Sequence, residues 1–152
     1  MMKKILSLIV AIMALISTGC QNDGDIGFMF GTWRVESYTA DGTAVSLERY
    51  PTTFSFQGSV VKVQVIEDEY GSNNATYGNW SRDESAGTVT LNFGNSDGKY
   101  GPGEGPYAAP EYLGMTSAAP MVMQLAHDGR TMTWTWHAPD GVVRIYKLHK
   151  TW

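Results

Sequence analysis

From residue 31 onward, apolar and polar side chains alternate along the chain with a period of two, in one short stretch after another. Such alternation is typical of β-strands that bury one face. The predicted inward-facing sets are Trp33, Val35 and Ser37; Phe54 and Phe56; Val61, Val63 and Val65; Val89, Leu91 and Phe93; Met121, Met123 and Leu125; and Met132, Trp134 and Trp136. Because no convincing helical period follows residue 31, the pattern predicts an all-β domain.

Turn residues separate these stretches. Asp41-Gly42 can supply the positive φ of a tight hairpin turn, and Pro139-Asp140-Gly141 precedes the last predicted strand. The stretch 76–82 is irregular, and we interpret it as a strand with a bulge near Gly78. About eight strands result. This number suits a single antiparallel up-and-down β-barrel.

Residues 94–120 interrupt the strand pattern with four prolines and three tyrosines. Connections of this length in a compact domain are usually functional or disordered. Two interpretations are open at this point. The segment forms a lid over the mouth of the barrel, or it is a solvated connection that replaces a helix or short strand.

The start of the chain carries an export pattern. Lys3 and Lys4 precede an apolar run over residues 5–16, which is short for a membrane span. The run leads into Ser17-Thr18-Gly19-Cys20, which resembles the lipobox of bacterial lipoproteins. In that motif, small residues precede a cysteine that becomes acylated and forms the first residue of the mature protein.

The lipobox resemblance implies a division of the chain into three parts. Residues 1–19 are a signal peptide, residues 20–29 are the acylated Cys20 with a flexible tether, and residues 30–152 are the barrel domain. It also implies that the covalent lipid on Cys20 holds the protein on the bacterial outer membrane, at its periplasmic face or at the cell surface. We expect a monomer.

The charge balance bears on the choice of partner. Of the 11 basic residues, two lie in the predicted signal peptide, so nine basic residues face 15 acidic ones in the mature chain, a net charge of −6. Affinity for nucleic acids comes largely from neutralising phosphates with Lys and Arg. The acidic excess therefore argues against nucleic acid, and also against binding driven by the charge of anionic lipids.

Catalytic motifs are not evident in the sequence. Nucleophilic catalysis would need a hydroxyl or thiol beside a base, but there is no Gly-x-Ser-x-Gly motif and Cys20 is the only cysteine. The three histidines, His127, His137 and His149, lack the His-x-x-x-His spacing of metal ligands on a helix. We therefore expect a protein that is not an enzyme, with no cofactor and no metal site.

Two motifs near the ends of the barrel domain carry a resemblance to a known family. Phe30-Gly31-Thr32-Trp33-Arg34 places a Gly-x-Trp at the start of a strand, and Arg144-x-Tyr146-x-Leu148 lies in the last strand. Together with the strand pattern, they resemble the small lipocalin-like lipoproteins of Bacteroidetes. The resemblance implies that Gly31, Trp33 and Arg144 close the barrel, with the arginine stacked on the indole ring in a cation-π contact.

The remaining question is what the interior of such a barrel contains. Eight-stranded barrels are either filled by side chains or hold one small ligand, and both alternatives are open here. If a cavity exists, the predicted ligand-binding residues are Phe54, Phe56, Val63, Tyr107, Tyr112, Met132, Trp134 and Trp136. The leading hypothesis is a lipid-anchored, non-catalytic barrel that binds a small hydrophobic or amphipathic ligand. The alternative is an interaction lipoprotein whose filled barrel presents residues 94–120 to a protein or glycan.

Overall fold

The computed structural model of the protein describes residues 26–66, 73–94 and 105–152. The predicted signal peptide and Cys20 lie outside the described residues, as does most of the predicted tether. Residues 95–104 of the proline-rich connection also lie outside them. Within the described ranges, no helix is long and apolar enough to cross a membrane.

The described residues form strands and two short 3-10 helices. The strands are β1 (Gly31–Ala40), β2 (Thr43–Val45), β3 (Thr52–Gln57), β4 (Val60–Ile66), β5 (Asn73–Asp83), β6 (Thr88–Asn92), β7 (Met121–His127), β8 (Thr131–His137) and β9 (Val143–Lys150). The 3-10 helices are Gly27–Met29, before β1, and Glu111–Leu113, between β6 and β7.

The strands form a closed antiparallel barrel. Each strand from β3 to β9 pairs with the next one along the chain, and β1 pairs with both β3 and β9. The ring therefore contains eight strands, while the short β2 pairs with the second half of β1 outside the ring. This is the up-and-down arrangement found in lipocalin-type barrels. The predicted all-β barrel of about eight strands is confirmed.

Side chains from alternate positions of every strand in the ring fill one core. All the predicted inward-facing residues are buried except Ser37 and Leu125, which are half-buried. Ser37 departs from the prediction because Glu36 is an extra residue between the pairs Val35–Leu148 and Ser37–Lys147. Such a bulge shifts the alternation by one residue. Tyr38 is turned inward as a result, and its ring stacks on Tyr146 with 5.0 Å between centroids.

Gly78 does not mark a bulge, contrary to the prediction. The pairing of β5 with β4 runs without a shift from Asn73 to Asn79. The glycine is required because a Cβ at this position would lie 2.7 Å from the ring of Phe93 and 2.8 Å from the carbonyl oxygen of Asn92. Glycine in a strand often permits such close approach of neighbouring groups.

The residues just before β1 close one end of the barrel, which we call the N-terminal end. The indole N–H of Trp33, a fully buried residue, donates a hydrogen bond of 2.9 Å to the carbonyl oxygen of Met29. Ile26 and Met29 are both part of the core. The predicted tether therefore does not extend to residue 29, because residues 26–29 are packed against the barrel.

The predicted contact between Trp33 and Arg144 is wrong, although the strands that carry these residues do pair. The antiparallel register places Lys150 opposite Trp33, and Arg144 opposite Ala40. Six residue steps along β9 separate Arg144 from Lys150, a distance of about 20 Å. Instead, the ammonium group of Lys150 lies 5.3 Å from the centre of the Trp33 ring and donates a hydrogen bond to the carbonyl oxygen of Phe28.

This geometry predicts that Trp33 is coupled energetically to Lys150. Trp33→Ala should lower the free energy of unfolding by about 3 to 5 kcal/mol, because it leaves a cavity in the core. In a double-mutant cycle with Trp33→Leu and Lys150→Met, measured by urea unfolding, we expect a coupling energy of about 0.5 to 2 kcal/mol, because leucine removes the aromatic ring.

The matched control for this cycle uses Arg144, another cation of β9, in place of Lys150. Trp33→Leu combined with Arg144→Met should give a coupling energy near zero, since Arg144 pairs with Ala40, which lies at the other end of β1 from Trp33. Equal coupling energies in the two cycles would contradict the assignment of Lys150 as the cation over Trp33.

Candidate functional site in the barrel interior

Aromatic rings dominate the middle of the barrel. Trp134 makes edge-to-face contacts with Phe54, Phe56 and Tyr146, at centroid distances of 5.1, 6.1 and 6.3 Å. Phe56 makes a similar contact with Trp80, at 5.1 Å. These five rings come from four different strands, β3, β5, β8 and β9, and the closed sheet brings them together. Edge-to-face pairs at such distances contribute to stability beyond the area they bury.

Six of the eight predicted ligand-binding residues lie in this interior. They are Phe54, Phe56, Val63, Met132, Trp134 and Trp136, and all six are buried in one cluster. Around these rings, side chains pack against one another, which corresponds to the filled alternative. A ligand that reaches this region must therefore be small or must displace side chains.

Two polar atoms of this interior have no hydrogen-bond partner. The indole N–H groups of Trp80 and Trp134 are fully enclosed, and no protein acceptor is within hydrogen-bond distance of either. By contrast, the indole N–H of Trp33 and the hydroxyl of Tyr146 each have a backbone acceptor. A buried donor without an acceptor costs about 1 to 3 kcal/mol. An acceptor atom supplied from outside the protein would remove this cost.

Residues 105–120, which we call the cover segment, lie over the end of the barrel opposite the N-terminal end. Ala109, Leu113 and Met115 are buried in the core. The hydroxyl of Tyr146 donates a hydrogen bond of 2.7 Å to the carbonyl oxygen of Leu113. These residues are therefore packed on the barrel, as the lid interpretation requires, and are not a fully solvated connection. The segment also accepts a hydrogen bond at Pro106 from the backbone N–H of Tyr77 on β5.

The two remaining predicted ligand-binding residues lie on the cover segment and not among the interior rings. Tyr107 is half-buried. Tyr112 packs against the edge of the core, and its ring stacks on Tyr50 at 4.7 Å. The hydroxyls of Tyr112 and Thr52 lie 2.9 Å apart. Tyr112 therefore joins the cover segment to the start of β3.

Arg144 lies beneath the cover segment in a polar cluster. Its guanidinium group donates two hydrogen bonds to Asp140, of 3.0 and 2.7 Å, and lies 5.5 Å from the centre of the Trp136 ring. These bonds from Arg144, followed by the backbone N–H of Val142, lower the pKa of Asp140 to about 2. The carboxylate in turn raises the pKa of Arg144. Both groups remain charged at neutral pH.

Close packing holds the cover segment against this cluster. Gly114 has φ +68°, and a Cβ there would lie 2.5 Å from the hydroxyl of Tyr38. Arg144 Nε donates a hydrogen bond of 3.3 Å to the same hydroxyl. Burial raises the pKa of Tyr146, whose ring stacks on Tyr38. Tyr146 therefore stays protonated at neutral pH and able to donate to the cover segment.

Four residues of this arrangement were not predicted as functional: Tyr38, Trp80, Tyr146 and Lys150. Tyr146 belongs to the Arg-x-Tyr-x-Leu motif, which was the available signal for it. Trp80 lies in the irregular stretch whose inward face the sequence left unassigned. Tyr38 and Lys150 depend on the register of β1 with β9 and on the extra residue Glu36. Sequence alternation alone does not contain that information.

The predicted surface histidines lie on the outside of the barrel. His127 and His137 are exposed, and His149 is half-buried. The ring of His127 stacks on Phe28, with 3.5 Å between centroids. Among the described residues, no three His, Cys, Asp or Glu side chains are grouped so that they could hold a metal ion.

Comparison with known proteins gives structural likenesses alone. No protein-family profile matches the chain, and no curated protein sequence matches it. A redesigned β-barrel is 16% identical over 84% of this chain and 96% of its own, with a TM-score of 0.44. A de novo designed fluorescence-activating β-barrel is 12% identical over 84% of this chain and 98% of its own, with a TM-score of 0.42.

A natural protein shows a similarly low sequence identity and TM-score to the chain. Insecticyanin from the tobacco hornworm Manduca sexta, a lipocalin, is 14% identical over 84% of this chain and 64% of its own, with a TM-score of 0.46. At such low identities and TM-scores these likenesses concern the barrel in general. The assignment of this chain as a closed eight-stranded barrel rests on its own strand pairing.

The hydrogen bond from Tyr146 to Leu113 gives a test of how the cover segment is held. Tyr146→Phe removes the donor and leaves a buried carbonyl oxygen unpaired, so the free energy of unfolding should fall by about 1 to 3 kcal/mol. Amide hydrogen exchange should speed up at Leu113 and Gly114 more than in the strands. Both amides are bonded within the cover segment, to Pro110 and Glu111.

Tyr38→Phe is the matched control, because Tyr38 is also buried and stacked but has no hydrogen bond to the cover segment among the described contacts. It should leave exchange at Leu113, whose carbonyl oxygen is bonded to Tyr146, close to the wild-type rate. Equal acceleration in both variants would show that ring packing, and not the Tyr146 hydroxyl, holds the cover segment in place.

Proposed function

We propose that this protein is a lipid-anchored, non-catalytic barrel of the bacterial cell envelope that binds a small amphipathic molecule in its interior. The observation that carries the proposal is the pair of unpartnered indole N–H groups of Trp80 and Trp134. Both rings contact Phe56, so the two donors belong to one aromatic region. A ligand with an apolar body and one acceptor group matches this chemistry.

The interior has the flexibility that such binding requires. Met121, Met123 and Met132 are buried beside the aromatic rings. Methionine is unbranched and can change rotamer, which lets it fill or vacate space as a ligand enters. Access requires movement of the cover segment, whose short 3-10 helix (Glu111–Leu113) is held to the barrel through the Tyr146 hydroxyl.

The lipid anchor follows from the motif that ends at Cys20. Only five residues separate Cys20 from Ile26, which is packed at the N-terminal end of the barrel. An acylated Cys20 would therefore hold that end towards the membrane and leave the cover segment at the far end. Several acyl chains, each contributing about 0.8 kcal/mol per buried CH₂, are sufficient for stable attachment. Gln21, and not Asp, follows the cysteine, which fits residence in the outer membrane.

The ligand hypothesis predicts a saturable calorimetric or tryptophan-fluorescence titration with at least one member of a panel of fatty acids, bile-type sterols and aromatic metabolites. Trp134→Phe keeps an aromatic ring but removes an unpartnered N–H. One hydrogen bond contributes about 0.5 to 1.5 kcal/mol, so affinity should fall by up to roughly tenfold.

Trp33→Phe is the matched control, since the N–H of Trp33 already donates to Met29 and is not available to a ligand. Its affinity for the same ligand should equal that of the wild type, provided that circular dichroism shows a folded variant. Absence of saturable binding across the panel would contradict the hypothesis. An equal loss of affinity in both variants would place the ligand outside the Trp134 region.

A second candidate function is favoured by the close packing of the predicted ligand-binding side chains. In this view the filled barrel is a rigid support, and the exposed part of the cover segment, which includes Glu111, binds a protein or glycan partner. Glu111→Lys changes the outer surface and leaves Leu113 in the core. It should abolish capture of such a partner while leaving the small-molecule titration unchanged.

Cys20→Ser tests the anchor. Acylation should be lost, and the signal peptide should remain uncleaved or be cut at another position, because the processing peptidase acts on the lipidated cysteine. Mass spectrometry of the purified chain measures both effects. A Cys20→Ser chain that still carries covalent lipid and fractionates with membranes would refute the lipobox interpretation.

A further inference from the structure

Three large apolar side chains are exposed on the same part of the barrel wall. Val60, Tyr77 and Trp152 have exposed fractions of 43%, 36% and 74%, and all three line one groove of about 330 Å³. The remaining lining residues are Gly31, Thr32, Ser55, Gln57 and Lys62. We call this region the outer groove. Contiguous apolar exposure of this kind, with polar side chains around it, typically marks an interaction surface.

The register of the sheet places the residues of the outer groove next to one another. Thr32 is opposite Ser55, Ser55 is opposite Lys62, and Lys62 is opposite Tyr77, so these four side chains form one row across β1, β3, β4 and β5. Gln57 and Val60 form the next pair towards the N-terminal end. The row lies on the outer face of the barrel, because the neighbouring residues along each strand point inward. Trp33, Phe54, Phe56, Val61 and Val63 are examples, and all are buried.

Trp152 is fixed beside this row by backbone hydrogen bonds. Its carbonyl oxygen accepts a bond of 3.0 Å from the N–H of Thr32, and its ring lies 6.0 Å from the ring of Phe30. The indole is nevertheless the most exposed of the large apolar side chains in the described part of the chain. The fold therefore holds a tryptophan in place at the surface.

The outer groove lies close to the point where the chain leaves towards Cys20. Gln57 and Val60 flank the turn formed by Gly58 and Ser59, and Ile26 lines the cleft on the other side of that turn. Six residue steps from Cys20 to Ile26 span at most about 20 to 22 Å. A lipid on Cys20 would bring the membrane surface within that distance of Ile26, which lies across the Gly58–Ser59 turn from the outer groove.

We propose that the outer groove is a membrane-contact surface that rests in the interfacial layer of the bilayer when the anchor is inserted. This inference rests on the proposed lipid anchor. Tyr77 and Trp152 have the amphipathic rings that favour the headgroup level, and Val60 adds apolar area. Lys62 can extend its ammonium group to the lipid phosphates while its stem stays on the apolar side chains. The contact fixes the orientation of the barrel on the membrane.

A single fluorescent label can test this contact in the acylated full-length chain. Since acylation uses Cys20, the only cysteine, Gln57→Cys introduces one free thiol in the outer groove and keeps Val60, Tyr77 and Trp152. Gln124→Cys is the matched control. It replaces a glutamine on β7 that is also exposed, on the opposite wall of the ring.

Both variants are labelled with an environment-sensitive dye and reconstituted into phosphatidylcholine vesicles with brominated acyl chains. We expect several-fold stronger quenching of the label at position 57 than at position 124. The additional change Trp152→Ser should reduce the quenching at position 57 while the chain stays acylated. Equal quenching at the two positions, or no effect of Trp152→Ser, would overturn the proposal even though the anchor holds.

Failure of the anchor gives a different result. If mass spectrometry finds no lipid on Cys20, the anchor proposal fails, and the chain with Cys20→Ser and Gln57→Cys is mixed with the same vesicles. Quenching at position 57 then supports the membrane-contact surface by itself, and its absence overturns it. A blue shift of the label that rises with protein concentration without vesicles would also overturn it, because a second copy would occupy the groove.

Discussion

The pairing of the first and last strands is the constraint on which the rest of the structure depends. Because β1 pairs with β9 as well as with β3, the sheet has no free edge within the ring, and one face of every strand is enclosed. The enclosed side chains then need cover at two ends. The helix Gly27–Met29 supplies it at one end and the cover segment at the other. Residues 26–29 and the cover segment are therefore structural parts of the barrel.

Much of this fold is contained in the alternation of apolar and polar residues. The pattern identifies the strands and their inward faces, since each face of a strand repeats every two residues. It does not contain the register between distant strands. The motif of Arg144 predicts this residue as the partner of Trp33, whereas the register of β1 with β9 places Lys150, six residues further along β9, at that position. The extra residue Glu36, which turns Tyr38 and not Ser37 inward, likewise has no local signal in the sequence.

For the candidate site, the sequence likewise predicts which side chains point inward but not how they fit together. The inward direction of Phe54, Phe56 and Trp134 follows from alternation, but whether inward side chains leave a cavity depends on the volumes that meet from opposite walls. Those volumes include Leu113 and Met115 of the cover segment, which belong to no periodic stretch. The unpartnered donors on Trp80 and Trp134 emerge only when the surroundings of each indole are known. Whether a buried donor finds a hydrogen-bond acceptor depends on the packing of the whole molecule.

The closure of the ring also has a consequence for the order of folding. The hydrogen bond from Lys150 to Phe28 joins positions 122 residues apart, and the pairs of β1 with β9 span comparable distances. Contacts between distant positions slow folding, because chain entropy must be lost before they form. Until β9 is available, β1 keeps one unpaired edge that can add to another chain. The barrel therefore cannot close before the last strand of the chain has been synthesised and has met the first.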